Sequence, residues 1–473
     1  RLRQLLKKAG NRAMIIPSLI FLFLFLPCAL GLYIVVKPKV RKVLLLLFSL
    51  FFYAWGGIGN ACLLLLFVCM VYALGRYIGA VEKKRRARRL TESILLLVVL
   101  LFYYKYYGFF LDTLFAVLSV PISYEVLPMP PGISFITFTA MAYLIDIRRE
   151  VIRPASFLQV AVYLTFFPKL IMGPIERYDV WAGQLKNTWQ PAMLEEGAIR
   201  FLMGLSQKLL LADALAPLWS YTSTHSVSMA SAWLGLLAYT FQIYFDFQGY
   251  MNMAIGLGRM FGIRLQENFD HPYTSTSITD FWRRWHRTLG SWFRDYVYIP
   301  LGGNRKGLWR TLRNLMLVWG LTGFWHGASW TFLLWGLYYG ILLILEKFVL
   351  HPYLKRLPSA ARMMLTFAMV MLGWVLFASD GLSQAVVYYR QLFTTTHGVV
   401  DRQTLSLLVN YGFWLCAAAV FSTRAPLVVS SNLMYALREQ QWFLKPVLTI
   451  VVLVILLSCL MSAGYQSFLY VQF

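Results

Sequence analysis

Apolar residues run along this chain in long blocks, and the polar residues gather between them. The blocks lie near 14–36, 43–57, 61–80, 92–120, 131–146, 156–175, 198–219, 230–258, 314–345, 361–378, 406–421 and 444–471. A helix crossing a bilayer needs about 20 apolar residues, so some blocks are too short to cross and some long enough to cross twice. The pattern predicts an all-α, polytopic membrane bundle of about eleven spans, with re-entrant helices among them.

One block stands apart. From Asn314 to Leu345 there is no Asp, Glu, Lys or Arg. As a single straight helix it would be about 48 Å long, against roughly 30 Å of hydrocarbon. It is expected to break near its glycines, Gly320, Gly323 and Gly327, which sets His326 deep in the membrane beside irregular backbone. Such backbone is tolerated at that depth only when it is buried in protein or lines a watery cavity.

Just upstream, the spacing predicts an amphipathic helix. At about 100° per residue, Trp282, Trp285, Leu289, Trp292, Phe293 and Tyr296 share one face, and Asp280, Arg283, Arg284, Arg287, Arg294 and Asp295 share the other. Ser277-Ile278-Thr279-Asp280 resembles a capping box at its start, and Pro300-Leu301-Gly302-Gly303 ends it. His286 falls at the edge of the aromatic face. One histidine is thus carried on a helix at the membrane surface and the other on a buried break. Converging, the two would form an intramembrane reaction chamber.

Composition narrows the class. Hydrophobic residues make up 59% of the 473 and charged residues 14%, far below the quarter typical of soluble domains. The chain reads as one integral-membrane domain over 1–473, with a core at 14–350 and further spans over 361–471. The net charge of +24 is not a nucleic-acid signature. Its densest block, Lys83-Lys84-Arg85-Arg86-Ala87-Arg88-Arg89, lies between apolar runs and marks a cytoplasmic loop by the positive-inside rule. Arg1 to Arg12 and Lys37 to Lys42 are basic on both sides of the first run, so the rule does not orient it. That run is too long for a signal-peptide core and reads as an anchor. Cys28, Cys62, Cys69, Cys416 and Cys459 lie in apolar runs without C-x-x-C spacing, and read as small core residues.

Three of the ionisable residues within the apolar runs stand out. Lys105 is placed to snorkel or face the interior. Lys169 follows a proline and calls for a partner or a function. Asp246 needs a counter-charge, because an unpaired carboxylate at the bilayer centre costs about 2.5–3.5 kcal/mol on insertion scales. Arg259, Arg264 and the arginines after residue 282 are the candidates. Met129-Pro130-Pro131-Gly132 suggests a break or re-entrant entry.

The chain has no H-E-x-x-H, no glycine-rich phosphate loop, no G-x-S-x-G and no zinc spacing. A lone histidine in an apolar run is usually structural. Together, His286 and His326 fit general-base chemistry, since imidazole takes a proton near neutral pH and burial keeps it neutral. A hydroxyl acceptor beside such a base can attack an activated acyl group such as a thioester. Two histidines without a third ligand make a weak metal site.

Four segments carry a resemblance. They are Asn268-Phe269-Asp270-His271-Pro272-Tyr273, Ile278 to His286, Trp292 to Arg305, and Gly323-Phe324-Trp325-His326-Gly327-Ala328. The chain resembles the membrane-bound O-acyltransferase family, most closely its bacterial alginate O-acetyltransferase branch. Phe21 to Leu32, Pro131 to Phe135, Phe167 to Pro174 and Asp246-Phe247-Gln248-Gly249-Tyr250 also fit. The likeness covers most of 14–350.

The resemblance implies that His326 is the catalytic residue, buried where a central tunnel crosses the membrane, and that His286 is the second active-site group. Asp246, Trp282, Arg283, Arg294, Asp295, Asn304 and Trp325 are the matching supporting positions. It implies a multi-pass protein of the bacterial inner membrane, with no bound cofactor. The acyl donor, acetyl-CoA or an acyl-carrier protein, would arrive from the cytoplasm as a thioester. An acetyl group would pass to a glycan hydroxyl, or to an extracytoplasmic partner protein that completes the transfer. Another branch moves D-alanine from a carrier protein toward teichoic acid. Where the alginate branch usually has an acidic residue after Gly249-Tyr250, this chain has Asn252. Two other classes fit the buried polar residues: a transporter or flippase, and a scaffold with inert histidines. A transporter should show matched broken helices in two halves; the sequence shows one dense centre.

Overall fold

The computed structural model describes residues 16–119, 123–185, 189–437, 440–462 and 468–469. The basic stretch Arg1 to Arg12 lies outside the described residues. Among these, every regular element is a helix. In chain order they are α1 Phe21–Val35, α2 Pro38–Ala54, α3 Ile58–Gly79, α4 Lys83–Leu118, α5 Ile133–Arg148, α6 Phe157–Thr165, α7 Phe167–Leu170 and α8 Tyr178–Gln184. Then follow α9 Ala192–Thr224, α10 Met229–Met260, α11 Ile278–Arg284, α12 Arg287–Phe293, α13 Leu308–His326 and α14 Trp330–Leu354. The last are α15 Ser359–Ala378, α16 Leu382–Phe393, α17 Arg402–Phe421, α18 Ala425–Ala436 and α19 Gln441–Ser462.

The protein is an all-α membrane bundle. By length and composition, α3, α4, α9, α14, α15, α17 and residues 442–462 of α19 can each cross a bilayer, seven among the described residues, and α1 is a shorter apolar helix. Large apolar side chains such as Leu66, Val99, Val409 and Met461 point outward on these helices, as lipid-facing positions do. Four of the cysteines share that outward placement and Cys459 is half-buried. This corrects the expectation that they are core residues: an apolar run in a membrane helix has a lipid face as well as a packed one.

Two compact units divide the chain. The first comprises Arg1–Phe201, Met251–Gln266 and Ser467–Phe473; the second comprises Leu202–Tyr250 and Glu267–Gln466. Within the first, Pro131-Gly132 turns the chain into α5, with Tyr53 Oη donating to the Pro131 carbonyl at 2.8 Å. Gly132 takes φ 76°, and a Cβ there would strike the Leu170 carbonyl. α5 is buried almost all round, the polar residues Ser134, Thr137, Thr139 and Asp146 included. Lys105 Nζ faces inward and donates to Ser134 Oγ at 3.3 Å. Lys169 is buried, its ammonium 4.2 Å from the Tyr163 ring and 4.7 Å from that of Trp181. Cation–π contact of this kind replaces part of the lost hydration.

Candidate active site

The two histidines and the contacts around them lie in the second unit. The charge-free run is a helical hairpin, α13 and α14, broken at Gly327-Ala328-Ser329. Ser329 restarts the helix by accepting from the Phe332 amide at 3.4 Å. Gly320 and Gly323 do not break it. Gly323 instead sits against Gly336, so close that a Cβ on either would meet the backbone of the facing helix. Small residues at a crossing let membrane helices approach until their backbones touch. His326 ends α13 and is 4% exposed. Its ring lies 4.9 Å from Trp325, 4.9 Å from Trp335 on α14 and 5.4 Å from Phe377 on α15. Packing of aromatic faces and edges thus fixes the imidazole.

His286 is held differently. The expected single amphipathic helix is broken at Trp285-His286, between α11 and α12, and His286 adopts φ 45° and ψ 53°. For a residue with a side chain this left-handed conformation costs about 1–3 kcal/mol and persists where the surroundings over-determine it. Here the segment after Leu265 does so. The Asn268 carbonyl accepts from the Arg287 amide at 2.9 Å and the Arg284 carbonyl accepts from the Asp270 amide at 3.0 Å. Asn268 Oδ1 accepts from the Thr288 amide and hydroxyl, each at 3.0 Å, and lies 3.3 Å from His286 Nδ1. At the start of α11, Ser277 caps Asp280 as expected. Glu346 adds acceptors there, taking the Ile278 amide at 2.5 Å and the Thr279 amide at 3.0 Å.

The two imidazoles share Trp325 as a ring neighbour. His286 is 2% exposed, and its ring is 6.2 Å from Trp325 and 4.9 Å from Phe247. Trp325 therefore contacts both His286 and His326. Both candidate histidines are buried, and each has Trp325 as a ring neighbour.

A family model, MBOAT, membrane-bound O-acyltransferase family, matches residues 135–379. The probable alginate O-acetylase AlgI of Azotobacter vinelandii is 40% identical over 393 residues, covering 80% of this chain and 78% of that protein. The chain belongs to the membrane-bound O-acyltransferase family. The peptidoglycan O-acetyltransferase of Helicobacter pylori is 34% identical, over 78% of this chain and 77% of that protein. The teichoic acid D-alanyltransferase of Bacillus subtilis is 29% identical, over 52% of this chain and 68% of that protein. As a member of the family, the protein is a multi-pass membrane O-acyltransferase.

Against that family background, the remaining candidate residues divide by position. Trp282, half-buried on α11, has ring contacts at 4.6 Å to Trp319, 4.7 Å to Tyr339 and 5.6 Å to Trp335, the last of which touches His326. Asp246 is buried on α10, one residue before Phe247. Its counter-charge is Lys208, at 2.7 Å, which also reaches Asp213 at 2.7 Å. Lys208 was not among the partners the sequence suggested, although it is a lysine within the apolar run 198–219. Arg283 is exposed, and Arg294 pairs with its neighbour Asp295 at 2.8 Å on an outward face. Asn304 is exposed in the turn after Pro300, which Asn314 secures by donating to the Leu301 and Gly303 carbonyls. In the first unit, Asn252 is buried and accepts from Arg200 Nε at 3.0 Å. Asn268 and Glu346 were not picked out as site residues; Asn268 lies in a quoted motif segment, whereas nothing local marks Glu346.

Proposed function

We propose that this O-acyltransferase takes an acetyl group from a cytoplasmic thioester and delivers it across the bacterial inner membrane to a polysaccharide hydroxyl. Delivery is direct, or through an extracytoplasmic partner protein that completes the transfer. The acetyl group is favoured because the relatives named as acetylating enzymes match about four-fifths of this chain, whereas the D-alanyltransferase matches 52%. The observation that carries the chemistry is the pair of buried imidazoles on Trp325.

In the proposed reaction an imidazole nitrogen takes the proton of the acceptor hydroxyl as its oxygen attacks the thioester carbonyl carbon. The new C–O bond forms, the C–S bond breaks, and the departing thiolate takes that proton and leaves as a thiol. His326 is the base in this reading and His286 acts beside it. The donor in this reading, acetyl-CoA or a charged acyl-carrier protein, is a substrate. Loss of a positioned base typically costs about 10²–10⁴ in rate.

The test is acyl transfer in membrane vesicles supplied with labelled acetyl-CoA or with a charged carrier protein. His326→Ala should lose transfer while assembling at the wild-type level. Normal transfer by that variant would remove the base role, and transfer from a D-alanyl carrier alone would replace acetyl by D-alanyl.

A further inference from the structure

We infer that Asn268 is the positioning residue that fixes His286 in its Nδ1–H tautomer, so that His286 enters the reaction through a lone pair on Nε2. The inference rests on His286 being an active-site group, as proposed above. It begins with an atom that cannot switch roles. The Thr288 amide is only ever a donor, and it points at the terminal group of Asn268 from 3.0 Å. That terminal atom is therefore the amide oxygen; a flipped side chain would set two donors against each other. The same oxygen lies 3.3 Å from His286 Nδ1. An oxygen with no proton can only accept, so Nδ1 carries the hydrogen. In a neutral imidazole the other nitrogen, Nε2, then holds the lone pair.

The backbone makes this assignment rigid. The Arg287 amide to Asn268 carbonyl bond fixes the main chain of Asn268 against the start of α12, and Thr288 Oγ1 holds the side chain from a second direction. Asn268 cannot rotate away from Nδ1 without giving up both Thr288 bonds. The left-handed turn at His286 presents the ring to that oxygen. Phe247, Trp325 and Asn268, which meet the ring from other elements, carry no charge. The charged residues nearby in sequence are Arg284, paired with Asp280; Asp270, paired with Arg424; and Arg283, Arg287 and Glu267, all exposed.

The chemical consequence is directional. While neutral, His286 can hold or receive a hydroxyl proton at Nε2 but cannot donate from it. It therefore belongs with the attacking hydroxyl and not with the carbonyl oxygen, which needs donors.

The chain has six histidines, few enough for nitrogen-15 NMR of histidine-labelled enzyme in nanodiscs, with His286→Gln assigning the signal. The expected wild-type signature is a pyrrole-type Nδ1 and a pyridine-type Nε2. Asn268→Leu should lose that preference and fall in kcat more than it rises in KM. Asn268→Asp keeps the acceptor for all three donors and adds a negative charge. It should keep the tautomer and move the acidic limb of the pH–rate profile upward by at least about one pH unit. A protonated Nε2 in the neutral wild-type ring, or an unchanged signature in Asn268→Leu, overturns the inference. Full activity in His286→Gln with the expected signature would instead sink the active-site reading of His286 and leave the tautomer assignment standing.

Discussion

The two histidines face the same indole, and the contacts described around them differ in kind. Around His326 the packing is tight: two helices touch backbone to backbone at Gly323 and Gly336, and three rings lie against the imidazole. His286 is set by polar bonds: Asn268, Thr288 and the strained turn between α11 and α12, with the Lys208–Asp246 pair one residue from the Phe247 that packs on its ring. The difference teaches how each end should fail. A packed end is damaged by added volume, whereas a polar end is damaged by removing one partner of a buried set.

The largest effect on stability is expected at the polar end. Lys208 serves two carboxylates, so Lys208→Met leaves Asp246 and Asp213 facing each other in a buried site. Breaking a buried pair from one side costs about 3–5 kcal/mol. Asp246→Asn leaves Lys208 with Asp213 and should cost clearly less. Thermal unfolding in detergent of the two variants, beside acyl transfer, checks this order. Equal losses would mean that the three groups do not act as one unit.

At the packed end the expected loss is smaller. Gly336→Ala puts a Cβ against the Trp319 carbonyl and within 3.0 Å of the Gly323 Cα. Overpacking of this kind costs typically about 1–3 kcal/mol, and it should lower transfer by moving Trp335 and His326. Gly320→Ala is the internal control: its nearest neighbour would be a Leu337 methyl at 3.8 Å, so it should be neutral or slightly stabilising in a helix. If Gly320→Ala is the more damaging of the two, the crossing point has been misread.

The same contrast explains what the sequence made legible. The hairpin break at Gly327 could be read because a charge-free run longer than the membrane must turn, and the buried setting of His326 followed. The break at His286 could not. Trp282, Trp285 and Leu289 keep helical spacing straight through it, and the bonds that impose it come from Asn268, eighteen residues upstream. Glu346 is hidden for the same reason: its partners, Ile278 and Thr279, are far away in the chain. Lys208 carried a local signal, a cation in an apolar run, but it lies 38 residues before Asp246 and nothing local links the two. The family segments brought Trp282 and Trp325 to the histidines, while Arg283, Arg294 and Asn304 stand on exposed positions in the same segments and Asp295, half-buried, pairs with Arg294.

The smallest expected effect sharpens the polar side at its edge. Arg424 donates to both carboxylate oxygens of Asp270, at 2.8 and 3.1 Å, and links the turn after α17 to the segment that carries Asn268. That bond, more than any other contact, holds the Asp270 carboxyl below the usual carboxylate range. A lowered folded-state pKa gives stability that is present above the unfolded value of about 3.9 and is lost as pH falls through the folded value. Both side chains are largely solvated, so the contribution is screened, as for exposed pairs generally. Arg424→Gln should therefore change the melting temperature little near neutral pH. What it should change is the acid side, where the wild type's advantage over the variant shrinks to nothing as the solution is taken below pH of about 4. A gap that persists in strong acid would show that Arg424 acts through packing rather than charge. A fall in transfer at neutral pH with the melting temperature unchanged would show that the bridge also steadies the Asn268 clamp on His286.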